Sequence, residues 1–366
     1  MHLKISRAHL FHQIQRCQNI VEKRNTNPIL VNILFETVSN GLKLTATDLQ
    51  ATYSSTQEAE ILEPGKLTVD AKKIFEIVRE LNPEQMIELK TKPNFLEIFS
   101  GGVKFEIAAK SADEFPSEPT DETDLSISLP GSELIRMIGS TSFAMSNDET
   151  RKYLTGSLFE VSPEHGIRIV TTDGHRMALS EFNIANLQQS ASCILPKKAV
   201  MELKRLAEEA EENIQLSLGQ HQVRIELNQQ RFTSKVIDAK YPVYQDVIPQ
   251  SNPHTALVDK NLLDQALRRS MVVSNDFTHD VKLIFTDNNL SIAAHNTEQE
   301  QAEEDMVIAY EGTTIEVGFN AKYMRDVLAA VSSQNVRIVL KDSLSPALLL
   351  EEGHELSKHV LMPMRI

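Results

Sequence analysis

AKKIFEIVREL at 71–81, PKKAVMELKRLA at 196–207 and NAKYMRDVLAAV at 320–331 decide how this chain folds. Each sets a lysine near the start of a short run whose apolar residues recur three and four positions apart, the spacing of one helix face. With Lys73, Lys198 and Lys322 aligned, the offsets are 125 and 124 residues. A β-rich stretch follows each helix: MIELKTKPNFLEIF, IQLSLGQHQVRIEL and VRIVLKDSLSPALLL. Recurrence at a fixed long period is the mark of a repeated structural unit.

A second set of segments lies between these. ILVNILFETVSNGLKLTATD, YLTGSLFEVSPEHGIRIVTTD and DVKLIFTDNNLSIAAHN each read as strand, turn and strand with alternating apolar positions. Phe35, Phe159 and Phe285 align at offsets of 124 and 126, and the polar ends Asp48, Asp173 and Asn296 follow at 125 and 123. Asn40–Gly41 is a good hairpin-turn signal. Helical patterns precede the hairpins at 8–21, 131–145 and 260–273. The chain therefore reads as three copies of one α+β unit, each built of two helix-plus-antiparallel-strand halves. Proline and acidic residues at 117–124 and the break IPQSNPH at 248–254 give expected domains at 1–120, 127–249 and 253–366.

Composition bounds the function. A chain of 366 residues with 41% hydrophobic residues supports more than one core. Its first residues, MHLKISRAHLFHQIQ, lack the apolar run of a signal peptide, and no stretch approaches the ~18 apolar residues that span a bilayer. Cys17 and Cys193 stand far apart without CxxC spacing, which fits a reducing cytoplasm and buried thiols. The net charge of −14 opposes uniform contact with nucleic acid, but the charge is segregated. Taken with their flanks as 7–24, 71–81, 131–145, 196–207, 259–273 and 320–331, the six helical segments hold 17 Lys and Arg against 8 Asp and Glu, so the remainder is strongly acidic. Basic helices gathered on one concave surface would attract phosphates without reading sequence. Solvated helix faces carry the same pattern for no functional reason, and the triple repeat favours the first reading.

The motifs TTDGHRMALSE (171–181), TRKYLTGSLFE (150–160) and VLMPMRI (360–366) resemble the bacterial sliding clamps, the β subunits of DNA polymerase III. So do DEFP (113–116), FTSKVIDAKYPVYQDVIP (232–249), Ser274-Asn275-Asp276-Phe277, NTEQEQAEE (296–304) and GFNAKY (318–323). The matches run in family order through all three repeats. The resemblance implies a head-to-tail homodimeric ring of clamp domains, helices inside and sheets outside, encircling double-stranded DNA. Such a ring is a non-catalytic processivity factor, without a cofactor or metal, acting in the cytoplasm at replication forks on the nucleoid. It implies DNA-facing positions at Arg24, Lys73, Glu149, Lys152, Tyr153, Lys197 and Lys198. It also implies a groove for short linear motifs of the replicative polymerase, the clamp loader, and repair and translesion polymerases. The groove positions are Leu154, Thr172, Gly174, His175, Arg176, Met177, Leu179, Pro242, Val247, Asn320, Tyr323, Leu344, Val360, Met362, Pro363, Met364 and Arg365. Subunit contacts would fall on Phe105 and Ile107 of one copy and on Val272, Val273, Glu300 and Glu304 of the other. Asp246 and Pro346 depart from residues common in the family, Arg and Ser.

Enzyme readings find little footing. Neither a GxxxxGK[ST] loop nor a strand-linked GxGxxG is present, and the eleven His residues show no HExxH spacing. Thr172, Asp173, His175 and Arg176 have no companion nucleophile motif, so a pocket-lining His is the better reading. Glu208, Glu209, Glu211 and Glu212 read as a solvated helix end. The alternative class is a non-catalytic repeat scaffold for protein–protein contacts that never encircles DNA.

Overall fold

The computed structural model describes residues 1–22, 27–118 and 124–365. Six α-helices occur among them: α1 (Arg7–Ile20), α2 (Ala71–Glu80), α3 (Gly131–Thr141), α4 (Lys197–Ala207), α5 (Lys260–Met271) and α6 (Ala321–Ala330). Each starts at the residue after a strand ends, so one strand-to-helix junction recurs six times. Four junctions are closed by a side-chain cap on the free amides of the first turn. Ser6 accepts from His9 N (3.2 Å), Asp70 from Lys73 N (2.8 Å), Asp259 from Asn261 N and Leu262 N (both 2.9 Å), and Asn320 from Tyr323 N (3.0 Å). Pro130 and Pro196 occupy the equivalent position before α3 and α4, where no side-chain cap forms.

The expected helix 131–145 stops early, with α3 ending at Thr141 and a 3₁₀ turn following at Ser142–Ala144. Ser140 Oγ and Thr141 Oγ1 both donate to Met137 O (3.1 and 2.7 Å). Hydroxyls that compete for helix carbonyls weaken the last turn.

The three hairpins repeat in detail. Phe35, Phe159 and Phe285 lie in first strands, paired across to Leu44, Ile169 and Leu290, and all three are fully buried. The aligned polar residues close the turn after the second strand. Asp48 Oδ1 accepts from Gln50 N and Ala51 N, Asp173 Oδ1 from His175 N and Arg176 N, and Asn296 Oδ1 from Glu298 N and Glu300 N. These are Asx turns, which explains why the positions read as Asp, Asp and Asn. In the first hairpin the tight turn is Ser39–Asn40, one residue earlier than the Asn-Gly signal suggests. Gly41 is needed for another reason: a Cβ there would sit 1.9 Å from Gln57 O.

The chain forms two compact units. The first comprises Met1–Leu129 and Ala210–Val236 and carries a 13-stranded sheet. Strand Gln230–Lys235 pairs with Ala51–Gln57 in the register Phe232↔Tyr53, so strands of the second repeat extend the sheet of the first. Gln13 of α1 is buried and donates to Leu42 O (3.3 Å) and Ser55 O (2.9 Å), tying helix to strands. Phe11 of α1 stacks on Phe75 of α2 at 5.4 Å between centroids.

The second unit comprises Pro130–Glu209 and Ile237–Ile366, with a nine-stranded and a four-stranded sheet. Its decisive pairing joins Arg176–Phe182 to the last strand, His354–Leu361, from Arg176↔Leu361 to Ser180↔Ser357. The second and third repeats thereby share one sheet. A polar seam crosses the joint: Arg136 Nη1 donates to Ser180 Oγ (2.9 Å) and Ser357 Oγ (3.2 Å), and Nη2 to Glu181 O (2.7 Å). His359 is fully buried beside it, its Nε2 donating to Ser140 O (3.0 Å). Burial lowers its pKa from the ordinary 6.5.

Candidate functional site

The turn closed by Asp173 delivers Arg176 to a crowded position. Its guanidinium, only 9% exposed, donates to Asp173 Oδ2 (3.0 Å), Asp326 Oδ2 of α6 (2.6 Å) and Phe143 O (2.9 Å). It also lies over the rings of Tyr323 (4.3 Å) and Phe143 (5.2 Å), a favourable cation–π arrangement. Arg176 thus ties the second-repeat hairpin to the third-repeat helix. Thr172 Oγ1 donates to Arg176 O (2.6 Å), tightening the same turn, and Gly174 at φ +93° completes it in a conformation that favours glycine.

On the other side of this turn lies an apolar cavity of about 290 Å³. Of the expected groove residues, Leu154, Thr172, Gly174, Arg176, Met177, Pro242, Val247, Val360 and Met362 line it. Met177 and Val360 face each other across the strand pair at the repeat joint, and Leu179 lies in the buried cluster with them. Tyr153, expected towards DNA, also lines the cavity. Two further lining residues escaped the sequence reading: Val243, 64% exposed, and Tyr244, which is buried. The connector 236–253 forms this wall because its tyrosines are anchored. Tyr241 OH donates to Val170 O (3.4 Å), Tyr244 OH donates to Glu160 Oε2, and Arg168 Nη1 donates to Tyr244 OH (2.8 Å). Burial, then the Glu160 hydrogen bond, push the Tyr244 hydroxyl up to about 12, so it stays a neutral donor. The two tyrosines at the ends of YPVY, Tyr241 and Tyr244, were the available signal.

The remaining expected groove residues do not line that cavity. His175 and Tyr323, rings stacked at 6.3 Å, line a neighbouring 550 Å³ cleft with Arg176, Arg151, Lys197 and Lys322. Burial raises the pKa of Tyr323, with Asp173 adding to the shift and Arg176 opposing it. Asn320 caps α6 and donates to Thr278 O (2.8 Å). Leu344 stands 73% exposed in a loop turned by Asp342, whose Oδ1 accepts from Leu344 N and Ser345 N. The C-terminal segment is held by two backbone hydrogen bonds, Met362 N to His175 O (3.0 Å) and Met364 N to Gly318 O (2.8 Å). Pro363 and Met364 are half-buried and Arg365 is exposed.

Among the expected DNA-facing residues, Arg24 lies outside the described residues. Lys73 is exposed in the first turn of α2, and Lys197 opens α4, its Nζ donating to Asn147 Oδ1 (3.3 Å). Lys198 beside it is half-buried. Glu149 and Lys152 are exposed on the 3₁₀ segment Glu149–Leu154, which kinks at Arg151.

The residues expected at subunit contacts lie on or near two strand edges. Strand Val103–Lys110 pairs with Phe95–Ser100 along one edge, while on its other edge only Ala109 and Lys110 have partners among the described pairings. Ile107 of this strand is buried and Phe105 half-buried. In the second unit, strand Gln301–Val307 pairs among the described residues with Asn289–His295 alone. Val272 is 84% exposed after α5, Val273 is half-buried and Glu300 is exposed. Glu304 is held within the chain by Arg269 (2.5 and 2.8 Å), which depresses its carboxyl pKa. Lys104 and Lys72 likewise have in-chain partners, Glu97 and Glu76.

No cluster of three or more metal-ligating side chains occurs among the described residues, and no helix there is long and apolar enough to cross a membrane. Comparison with known proteins gives consecutive matches to the DNA polymerase III beta subunit: its N-terminal domain over residues 1–119, its central domain over 128–243 and its C-terminal domain over 245–365. The beta sliding clamp of Pseudomonas putida is 37% identical, and that of Escherichia coli 34%, each over all of both chains. A solved Pseudomonas aeruginosa sliding clamp bound to griselimycin superposes with a TM-score of 0.97 at 35% identity, covering both chains fully. The Caulobacter crescentus pol III beta structure does so at 0.94 and 35% identity, again over both full lengths.

Proposed function

This chain belongs to the DNA polymerase III beta subunit family, and from that membership we propose how it works. It is a DNA sliding clamp and not an enzyme: it confers processivity by encircling duplex DNA and tethering a polymerase. Two copies close head to tail into a ring, and closure replaces tight binding. Weak phosphate contacts, independent of sequence, leave the ring free to slide. Arg24, Lys73, Lys152, Tyr153, Lys197 and Lys198 are the proposed contacts; Glu149 lies among them in sequence, but its negative charge opposes a phosphate contact.

The observation that carries the partner-binding half of this reading is the 290 Å³ apolar cavity at the joint of the second and third repeats, flanked by the C-terminal segment. A pocket floored by Met177, Val360 and Met362 suits the leucine and phenylalanine side chains of short linear motifs, and several partners can share so adaptable a surface. The polymerase catalytic subunit, the clamp loader, and repair and translesion polymerases are the proposed partners, at replication forks on the nucleoid. Ring closure is proposed to pair the open edge around Phe105 and Ile107 with the partner copy's edge near Val272, Val273, Glu300 and Glu304.

The test is topological. Protein loaded onto nicked circular DNA should stay bound through gel filtration and should leave when a restriction enzyme linearises the circle. Equal retention on linear and circular DNA would replace encirclement with ordinary affinity.

A further inference from the structure

Two clefts share one lysine at the start of α6. The 550 Å³ cleft is lined by the cations Arg151, Arg176, Lys197 and Lys322, and by Asp173 as the carboxylate among them, which Arg176 holds at 3.0 Å. Lys197 opens α4, a helix without a side-chain cap, so the amides of its first turn add positive potential beside that lysine. A second cleft, of about 500 Å³, lies between α5 and α6 and is lined by Lys260, Arg268, Lys322 and Arg325. Its carboxylates are neutralised: Asp264 pairs with Arg268 and Arg325 (each 2.8 Å), and Asp326 with Arg176 (2.6 Å). Other acids stand nearby but line neither cleft. Asp148 pairs with Arg151 (2.9 Å), Asp259 is engaged as the cap of α5, and Glu149 is exposed on the 3₁₀ segment. Lys260 Nζ donates to Val331 O (2.8 Å) and Lys197 Nζ to Asn147 Oδ1 (3.3 Å). Lys322 is exposed, lines both clefts and has no ion-pair partner among the described residues. From Val317 to Arg325 the chain around it carries no acidic residue.

We infer that Lys322 carries the DNA track of this protein into the third repeat: it binds the phosphodiester backbone of duplex DNA and joins the cleft at α4 to the cleft between α5 and α6. The inference rests on the clamp reading above, whose proposed contacts all lie in the first and second repeats. Lys322 aligns with Lys73 and Lys198 at offsets of 124 and 249 residues. Each of the three falls in the first turn of a helix that begins where a strand ends. Phosphates recur at regular intervals along a strand, so one backbone can present charge to both clefts while Lys322 passes from one phosphate to the next. A compact ammonium on a flexible stem, tied to no carboxylate, suits such a mobile contact. It holds the backbone without reading sequence.

The test is the salt dependence of duplex binding by the full-length protein, read by fluorescence anisotropy on a fluorescein-labelled duplex. Each phosphate contact adds about 0.9 to the slope of log affinity against log salt. Lys322→Gln should lower the slope by that amount and weaken binding about eightfold at ~0.1 M salt, equally for two duplexes of unrelated sequence. Lys322→Arg should keep the parental slope. So should Lys341→Gln, which removes the same charge from an exposed loop that lines neither cleft. A parental slope in Lys322→Gln overturns the inference, as does an equal drop in Lys341→Gln, which would reduce Lys322 to a share of the net charge. If Lys322→Gln instead loses the labelled peptide Asp-Gln-Leu-Leu-Phe with its DNA slope intact, the clefts serve an acidic partner and the inference falls. Circular DNA separates this from the clamp reading. Retention on nicked circles together with an unchanged slope sinks the inference alone, whereas a parent protein that circles do not retain overturns the clamp reading and the inference with it.

Discussion

Replacing Arg176 with methionine tests what holds the second and third repeats together beneath the groove. Methionine keeps most of the apolar stem but removes the guanidinium that satisfies Asp173, Asp326 and Phe143 O. Breaking a buried ion pair from one side destabilises by about 3–5 kcal/mol. Only part of that applies, because the Asp326 side chain is 37% exposed and water can resolvate it, whereas Asp173 at 13% stays largely shielded. The shielded carboxylate contributes ~2 kcal/mol, and the lost cation–π contact with Tyr323 and the stranded Phe143 carbonyl about 1 kcal/mol more. The expected loss is about 3 kcal/mol, which at a urea m-value of ~3 kcal/mol/M moves the midpoint down by about 1 M. The assay is urea denaturation followed by far-UV circular dichroism. Adding Asp173→Asn to the methionine variant should recover part of the loss, since the shielded charge is then gone. A single variant whose midpoint matches the parent would refute the hub assignment.

Deleting residues 362–366 removes the hydrogen bonds to His175 O and Gly318 O together with part of the cavity wall, and should abolish peptide binding in anisotropy while dimers persist on gel filtration. His359 is held neutral by burial, against the weaker upward pull of the Ser140 carbonyl and Glu351. Its folded pKa lies below the unfolded value, so the unfolded chain binds the extra proton first. Stability is therefore retained above about pH 6.5 and lost as pH falls from there towards the depressed folded value, and His359→Gln should flatten that slope in thermal melts at pH 5 to 7. Burial raises both thiols, Cys193 to about 12, so neither should react with a disulfide reagent at pH 8 until the chain is unfolded; rapid modification of native protein would contradict their placement.

The repeat was legible because its signals are local. A phenylalanine at the centre of each hairpin and an Asx residue at its end perform the same physical task three times, so they recur at nearly one period. Helix starts were legible for the same reason, each fixed by a cap or a proline at a strand end. The joint between repeats was not. Nothing in RMALSEF or HELSKHVL names the other as its partner, because strand pairing between distant segments is set by tertiary packing rather than by local pattern. The groove wall suffered likewise: Val243 and Tyr244 belong to a connector whose course depends on the Glu160 and Arg168 contacts, and the cavity-facing place of Tyr153 depends on a kink at Arg151. The resemblance to clamps supplied most of the groove residues that line the cavity, and periodicity alone would have read Met177, Leu179 and Val360 as ordinary core.

The strand that completes the shared sheet is made long after the strand it joins. Arg176–Phe182 has no neighbour on one edge until His354–Leu361 arrives, almost 180 residues afterwards. At translation rates of about 5–20 residues per second, that edge waits for about 10–40 s during synthesis. Throughout this interval Met177 and Leu179 flank an open row of amides and carbonyls that any passing strand could join. The architecture that builds the groove therefore delays its completion until a distant segment has been made, and gives chaperones a defined stretch of nascent chain to shield.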